Sequence, residues 1–240
     1  MELIYETIAG SRLYGLNKDG SDWDIRGVYL PSSEDALMGT YPETKKSFED
    51  RHKKTPDVDL QYFSLQKFMK MLYNCEMGAM DILHADINEY GLVSNHIIRT
   101  MQENKSKFYS KDAFLNTLGM VNNTIKKMSS FFESSGKLSW PTKKSISHSF
   151  RLCYNWMDVA ETGTYNPTLR SNIIEALKTI EDSSFDKNRH LLFALLHSTL
   201  KSTEDSIKFS VHIPENSDKY WGRIFLSDIY YVQMKHERGE

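Results

Sequence analysis

Apolar and polar positions repeat along this chain at two periods, and the change from one to the other divides it. Residues Leu3 to Ala9 form a β-branched, apolar run halted by Gly10-Ser11, which predicts a strand entering a tight loop that also holds Gly15 and Gly20. From Asp22 to Leu30 the chain alternates: Trp23 and Ile25 fall on one face and Asp22, Asp24 and Arg26 on the other, until Pro31 ends the run. A third strand is predicted over Val58 to Phe63. Then Leu65, Phe68, Met69 and Leu72 recur at helical spacing, with Ser64 as N-cap and an end near Asn74. Further helices are predicted at 77–84, 91–108, 111–133, 142–162, 168–181, 187–205 and 217–236. The economical division lies near 105–112, with a small α/β part before it and a helical part after.

Composition adds exclusions. The 240 residues are 40% hydrophobic and 26% charged, which suits a globular chain with one or two cores rather than disorder. The net charge of −2 conceals a gradient, because residues 99–151 carry +7 while both flanks are acidic. Two cysteines, Cys75 and Cys153, are too few for a disulfide framework and are read as buried thiols. No apolar run approaches a membrane span, and MELIYETIAGS lacks a basic n-region, so a cytoplasmic location without membrane contact is expected. P-loop, Rossmann and nucleophile-elbow glycine motifs are missing. His84, His96, His190 and His197 lack companions at zinc-ligand spacing. The methionines near 69–80 read as core filler, and Trp23, Trp140, Trp156 and Trp221 as packing aromatics, Trp23 in the core away from the acids.

Chemistry concentrates at one place. On a strand, Asp22 and Asp24 point the same way and can aim two carboxylates at one spot. Hard oxygen donors of that kind select Mg²⁺ or Mn²⁺, and a third acid near Asp59 on a neighbouring strand would complete a set needing a divalent ion to relieve its repulsion. The Gly10-Ser11 turn offers close backbone approach and donors for phosphate. Alone, an Asp-x-Asp pair is usually a solvated strand edge, and a Gly-Ser turn usually an ordinary turn. Their joint order, strand, GS turn, short loop, paired acids opening the next strand, is the specific signal.

In that order the chain resembles the DNA polymerase β-like nucleotidyltransferase superfamily. GSRLYGLNKDGSDWDIRGVYLP is most similar to its RNA repair pathway DNA polymerase β family, and DLQYFSLQKFMKML, NCEMGAMDILHAD and KKSISHSFRLCYNWMDVAETGTY continue the resemblance over most of residues 1–165. The resemblance implies an α+β chain: a small mixed-sheet nucleotidyltransferase domain over 1–108, then a helical substrate- or nucleotide-binding domain over 109–240. It implies that Asp22 and Asp24 hold Mg²⁺ or Mn²⁺, that Asp59 holds the catalytic ion and accepts the acceptor hydroxyl's proton, and that Gly10 and Ser11 bind the β and γ phosphates. Asp57, on the same strand face, is the alternative to Asp59.

Arg12 either touches phosphate or covers the sheet with its stem. Lys144, His148 and Arg151 fall on one helical face and form either a cationic stripe for a triphosphate or RNA phosphate, or a solvated face holding a partly buried His. The expected reaction moves an NMP from an NTP, ATP first, to a hydroxyl, releasing pyrophosphate. RNA is the expected acceptor because of the basic 99–151 stretch. A protein side chain, a small molecule, and a catalytically inactive nucleotide-binding module are the competing readings.

Overall fold

The computed structural model describes residues 1–46, 58–135, 137–182 and 188–239, and the chain divides into two units. The first comprises Met1–Tyr109 with Asn216–Glu240, and the second Ser110–Glu215. The chain is α+β with a five-stranded mixed sheet.

In the first unit the chain runs β1 (Glu2–Ala9), α1 (Gly10–Tyr14), β2 (Trp23–Leu30), α2 (Ser33–Met38), β3 (Thr44–Lys45), β4 (Val58–Ser64), α3 (Leu65–Tyr73) and α4 (Met77–His84). It continues through α5 (Ile87–Tyr90), β5 (Gly91–Ser94), α6 (His96–Glu103) and a 3₁₀ turn at Lys105–Phe108. Strand order is β3-β4-β2-β1-β5, and every pairing is antiparallel except β2 with β4, which is parallel. Ile25, Tyr29, Leu60 and Tyr62 make one buried cluster on this sheet, with Leu3 and Val58 against it. Its buried carboxylate, Glu6, accepts a 2.6 Å hydrogen bond from the Tyr62 hydroxyl, which satisfies an acid that is 1% exposed. Ser64 caps α3 as its sequence predicts, its hydroxyl accepting from the Lys67 amide, and Phe68, Met69 and Leu72 are buried along one stripe.

Two expectations are corrected here. The helix predicted over 91–108 begins instead as strand β5, because Leu92-Val93 pairs with the open edge of β1, with Glu6 opposite Val93. Only after Asn95 caps α6 does the chain turn helical. The C-terminal helix α12 (Lys219–Glu237), expected in a helical domain reaching 240, belongs to the first unit. Its cap Asp218 accepts from the Trp221 amide and is paired at 3.1 Å with Lys107. The Tyr73 hydroxyl donates to the Asp218 carbonyl, Gln233 donates to the Pro31 carbonyl, and Ser33 bonds Glu237. Periodicity signals a helix but does not name its partner.

The second unit is helical: α7 (Lys111–Thr117), α8 (Gly119–Glu133), α9 (Lys143–Thr162), α10 (Ser171–Asp182) and α11 (Arg189–Phe209). Thr142 caps α9, which buries Ile146, Phe150, Trp156 and Val159 and is flanked by α8, α10 and α11. Trp156 meets Phe114 edge-on at 4.6 Å and donates through its indole N–H to Thr117 at 2.7 Å, so both ends of a fully buried indole are used. The predicted 111–133 helix is broken at Leu118, whose amide bonds back three residues to Leu115. Cys75 and Cys153 are both free and buried. Among the described residues no helix is long and apolar enough to cross a membrane.

One half-buried ring in the first unit, His84, is expected to make stability depend on pH. The His84 ring bonds the Met80 carbonyl through Nδ1 at 2.9 Å and the Tyr109 hydroxyl through Nε2 at 2.7 Å, a pattern that suits the neutral ring with its proton on Nδ1. Burial, reinforced by Lys105, pushes its pKa down to about 3. The unfolded chain, with a histidine near 6.5, therefore binds the extra proton first as pH falls, and stability drops by up to about 1.4 kcal/mol per unit below that value. Denaturation midpoints between pH 7 and 5 should show this slope, and His84→Gln should flatten it. An unchanged slope in the variant would assign the acid sensitivity elsewhere.

Candidate active site

Three neighbouring strands bring the candidate residues level. Ala9, the last residue of β1, lies opposite Asp24 of β2, and Asp24 in turn lies opposite Asp59 of β4. Adjacent strands are about 4.8 Å apart, so the end of β1 and the two acids fall within two strand spacings. The parallel β2–β4 pairing creates this alignment, since it sets both acids at the start of their strands.

Gly10 follows Ala9 with φ of +65°, and a Cβ placed there would stand 1.9 Å from the Asp24 Oδ2. Only glycine satisfies both conditions, the left-handed backbone and the occupied space. The single turn of α1 then closes at Gly15, with the Ser11 carbonyl accepting from Leu16. Below it Leu13 is fully buried, and the Tyr14 hydroxyl donates at 2.8 Å to the buried Asp81. A five-residue turn is thereby fixed against the sheet, and its half-buried Ser11 lies one residue past the glycine.

The acids are not a bare cluster. Arg26, on the same face of β2, sends Nη2 to Asp24 Oδ1 at 3.1 Å and to Asp59 Oδ2 at 2.9 Å, while Nη1 donates to the backbone carbonyls of Asp59 and Ile25. The expectation that only a divalent ion would relieve the repulsion of these carboxylates is thus corrected: one guanidinium bridges two of them. Alternation puts Arg26 on the acids' face, and that is the sequence signal for it. Asp22, exposed, stands just ahead of β2, and among the described residues no group of three His, Cys, Asp or Glu side chains forms a ready metal cage. Asp57, the alternative third acid, lies outside the described residues.

Arg12 is engaged within the loop. Its Nη2 donates to the Ser21 carbonyl at 2.7 Å, and its guanidinium lies 4.0 Å above the Trp23 ring. Trp23 is 42% exposed, so the expectation of a core tryptophan fails: as the first residue of β2 it projects where the sheet face is open, and Arg12 is its cover. Lys144, His148 and Arg151 all lie on α9 of the second unit, respectively exposed, half-buried and 1% exposed. The burial of Arg151 separates it from the solvated stripe that the spacing suggests.

An uncharacterized 38.9 kDa protein from the nrdC–mobD intergenic region of Enterobacteria phage T4 is 27% identical over 169 residues, covering 68% of this chain and 48% of that one. The chain therefore spans about half the length of the curated relative it matches. The solved structure of a nucleotidyltransferase-like protein from Exiguobacterium sibiricum 255-15 is 12% identical and superposes with a TM-score of 0.38 over 87% of this chain and 73% of the other. The sequence model of one family matches residues 1–211, the span that holds the glycine turn, Asp22, Asp24 and Asp59, and the chain belongs to the RNA repair pathway DNA polymerase beta family.

Proposed function

We propose that this chain is a metal-dependent nucleotidyltransferase that moves an NMP from an NTP, ATP first, to a hydroxyl of RNA. The observation that carries the reading is the Gly10 turn pressed onto the Asp24 carboxylate with Asp59 alongside in register. In this reading the backbone of the turn and the Ser11 hydroxyl hold the β and γ phosphates, for which close approach and donors are required. The acceptor hydroxyl gives its proton to Asp59, its oxygen forms a bond to the α-phosphorus, the bond from that phosphorus to the bridging oxygen breaks, and pyrophosphate leaves with the electron pair.

Asp24 and Asp59, with Asp22 beside them, would hold the divalent ion. Their fit is chemical: hard oxygens gathered around one positive nitrogen, and Mg²⁺ needs only one or two protein carboxylates when water and substrate phosphates complete its shell. When bound, such an ion neutralises phosphate charge and lowers the barrier to displacement. The test is incubation of the full chain with labelled NTPs, Mg²⁺ or Mn²⁺, total RNA and total protein, reading pyrophosphate and the fate of the label. Label in RNA is expected. Label in protein or in a small molecule moves the acceptor, and absence of pyrophosphate with every NTP overturns nucleotidyl transfer.

RNA is favoured by exposed charge on α8. Within the +7 stretch Lys107 and Lys111 are paired with Asp218 and Glu215, and Arg151 is buried, whereas Lys126 and Lys127 are exposed. Replacing these two with Ala should shallow the log–log salt dependence of RNA binding by about 1.4, roughly 0.7 for each single-strand phosphate that is no longer neutralised, and leave NTP binding unchanged. RNA affinity undetectable at low salt in the wild type would remove RNA as acceptor.

A further inference from the structure

We infer that Arg26 is a positioning residue that stands in for the divalent ion, holding Asp24 and Asp59 together until the ion takes its place. This inference rests on the metal-dependent reading above and adds to it a residue and an order of events.

Two carboxylates level on adjacent strands repel each other, and a strand spacing of about 4.8 Å leaves little room for them to avoid it. Arg26 offsets much of that repulsion. Its side chain is 19% exposed, its Nη2 lies within 3.1 Å of one oxygen of each acid, and its Nη1 is anchored on two backbone carbonyls that do not depend on the acids. The fork therefore stays attached to β2 and β4 by one nitrogen while the other serves the carboxylates. An ion shared by the two acids independently of Arg26 would need the position between them to be free. It is not free: Asp24 Oδ1 and Asp59 Oδ2 both accept from Arg26 Nη2, which holds the bridging position between the two acids. A hard divalent ion sits about 2.0–2.1 Å from its oxygens. An ion taking Oδ1 at that range and a guanidinium nitrogen at hydrogen-bond range compete for one lone-pair region and one patch of negative charge. Arg26 thus sets an affinity threshold: in the unloaded site part of the negative charge is offset and the acids are aligned, and a shared ion would bind at the cost of turning Nη2 away. This identifies Arg26 with positioning and leaves bond-making to other groups.

The test measures Mn²⁺ binding to the full chain without nucleotide, by calorimetry and by the fall in the free-ion paramagnetic resonance signal. The proteins are wild type, Arg26→Gln, Arg26→Lys, and Arg26→Gln combined with Asp24→Asn and Asp59→Asn. Arg26→Gln is expected to bind Mn²⁺ at least about tenfold more tightly than wild type, because its competitor is gone. Its metal-free melting temperature should fall and be restored by Mn²⁺, since the ion now supplies the missing charge. Arg26→Lys, which keeps the charge but lacks the fork, should lie between the two in affinity, and it carries the test if Arg26→Gln does not fold. The combined variant should lose the Mn²⁺ response. Wild type that binds Mn²⁺ together with an Arg26→Gln or Arg26→Lys that binds it equally or more weakly overturns the stand-in role and leaves the metal site intact. No Mn²⁺ response in any of the proteins overturns the metal reading itself, and the role of Arg26 falls with it.

Discussion

Asp24→Asn is expected to cut nucleotidyl transfer by at least about a thousandfold, some 4 kcal/mol of transition-state stabilisation, with almost no change in melting temperature. Asparagine has the shape of aspartate, and its side-chain oxygen can still accept from Arg26, so the local bond survives while the negative charge is lost. Asp22→Asn should act in the same direction. Pyrophosphate release measures the first effect and thermal unfolding the second. Transfer retained by the doubly substituted Asp22→Asn, Asp24→Asn protein would end the assignment of these acids. A large drop in melting temperature would instead show that the charge of Asp24 serves the fold through Arg26.

Gly10→Ala should be as damaging to activity and, unlike Asp24→Asn, should also lower stability. The residue has φ of +65°, which costs a non-glycine residue about 1–2 kcal/mol, and its Cβ would fall 1.9 Å from Asp24 Oδ2. Either the turn or the carboxylate must move, and both belong to the proposed site. For a chain of this size the strain alone corresponds to a fall of about 2–8 °C in melting temperature. Gly20 supplies the control, because its φ is +78° but nothing lies within 4 Å of its missing Cβ. Gly20→Ala should show the backbone cost while transfer persists. Equal impairment in the two variants would mean that loop conformation, and not the close approach to Asp24, is what the site requires of glycine.

What the sequence makes legible is whatever short-range pattern encodes. The alternation in β2 places Asp24 and Arg26 on one face, and the Ser64 cap and the stripe of α3 are readable to within a residue or two. What it hides depends on partners far along the chain. Arg26 reaches Asp59 across a parallel pairing 33 residues away, so its face is readable and its bridging of two acids is not. Leu92-Val93 becomes a strand only because β1 offers an open edge. The same holds for Trp23, where alternation names a face but does not say that the sheet at that residue is bare and that Arg12 folds over it.

The discontinuity of the first unit imposes an order on biosynthesis. Residues 1–109 leave the ribosome before 110–215, yet the helix whose cap pairs with Lys107 and receives Tyr73, and which bonds Pro31 and Ser33, lies within 216–240, after the whole of 110–215 has been made. At about 5–20 residues per second the nascent sheet waits roughly 6–25 s for its final element. During that wait Tyr73, Gln66 and the α2 segment are without the helix that later meets them, while the inserted helices, which pack on one another within 110–215, can already close around α9. The unit that carries the acids is thus begun before the inserted helices and completed only after them, and a chain interrupted between the two would expose the surface that α12 covers to chaperones and proteases.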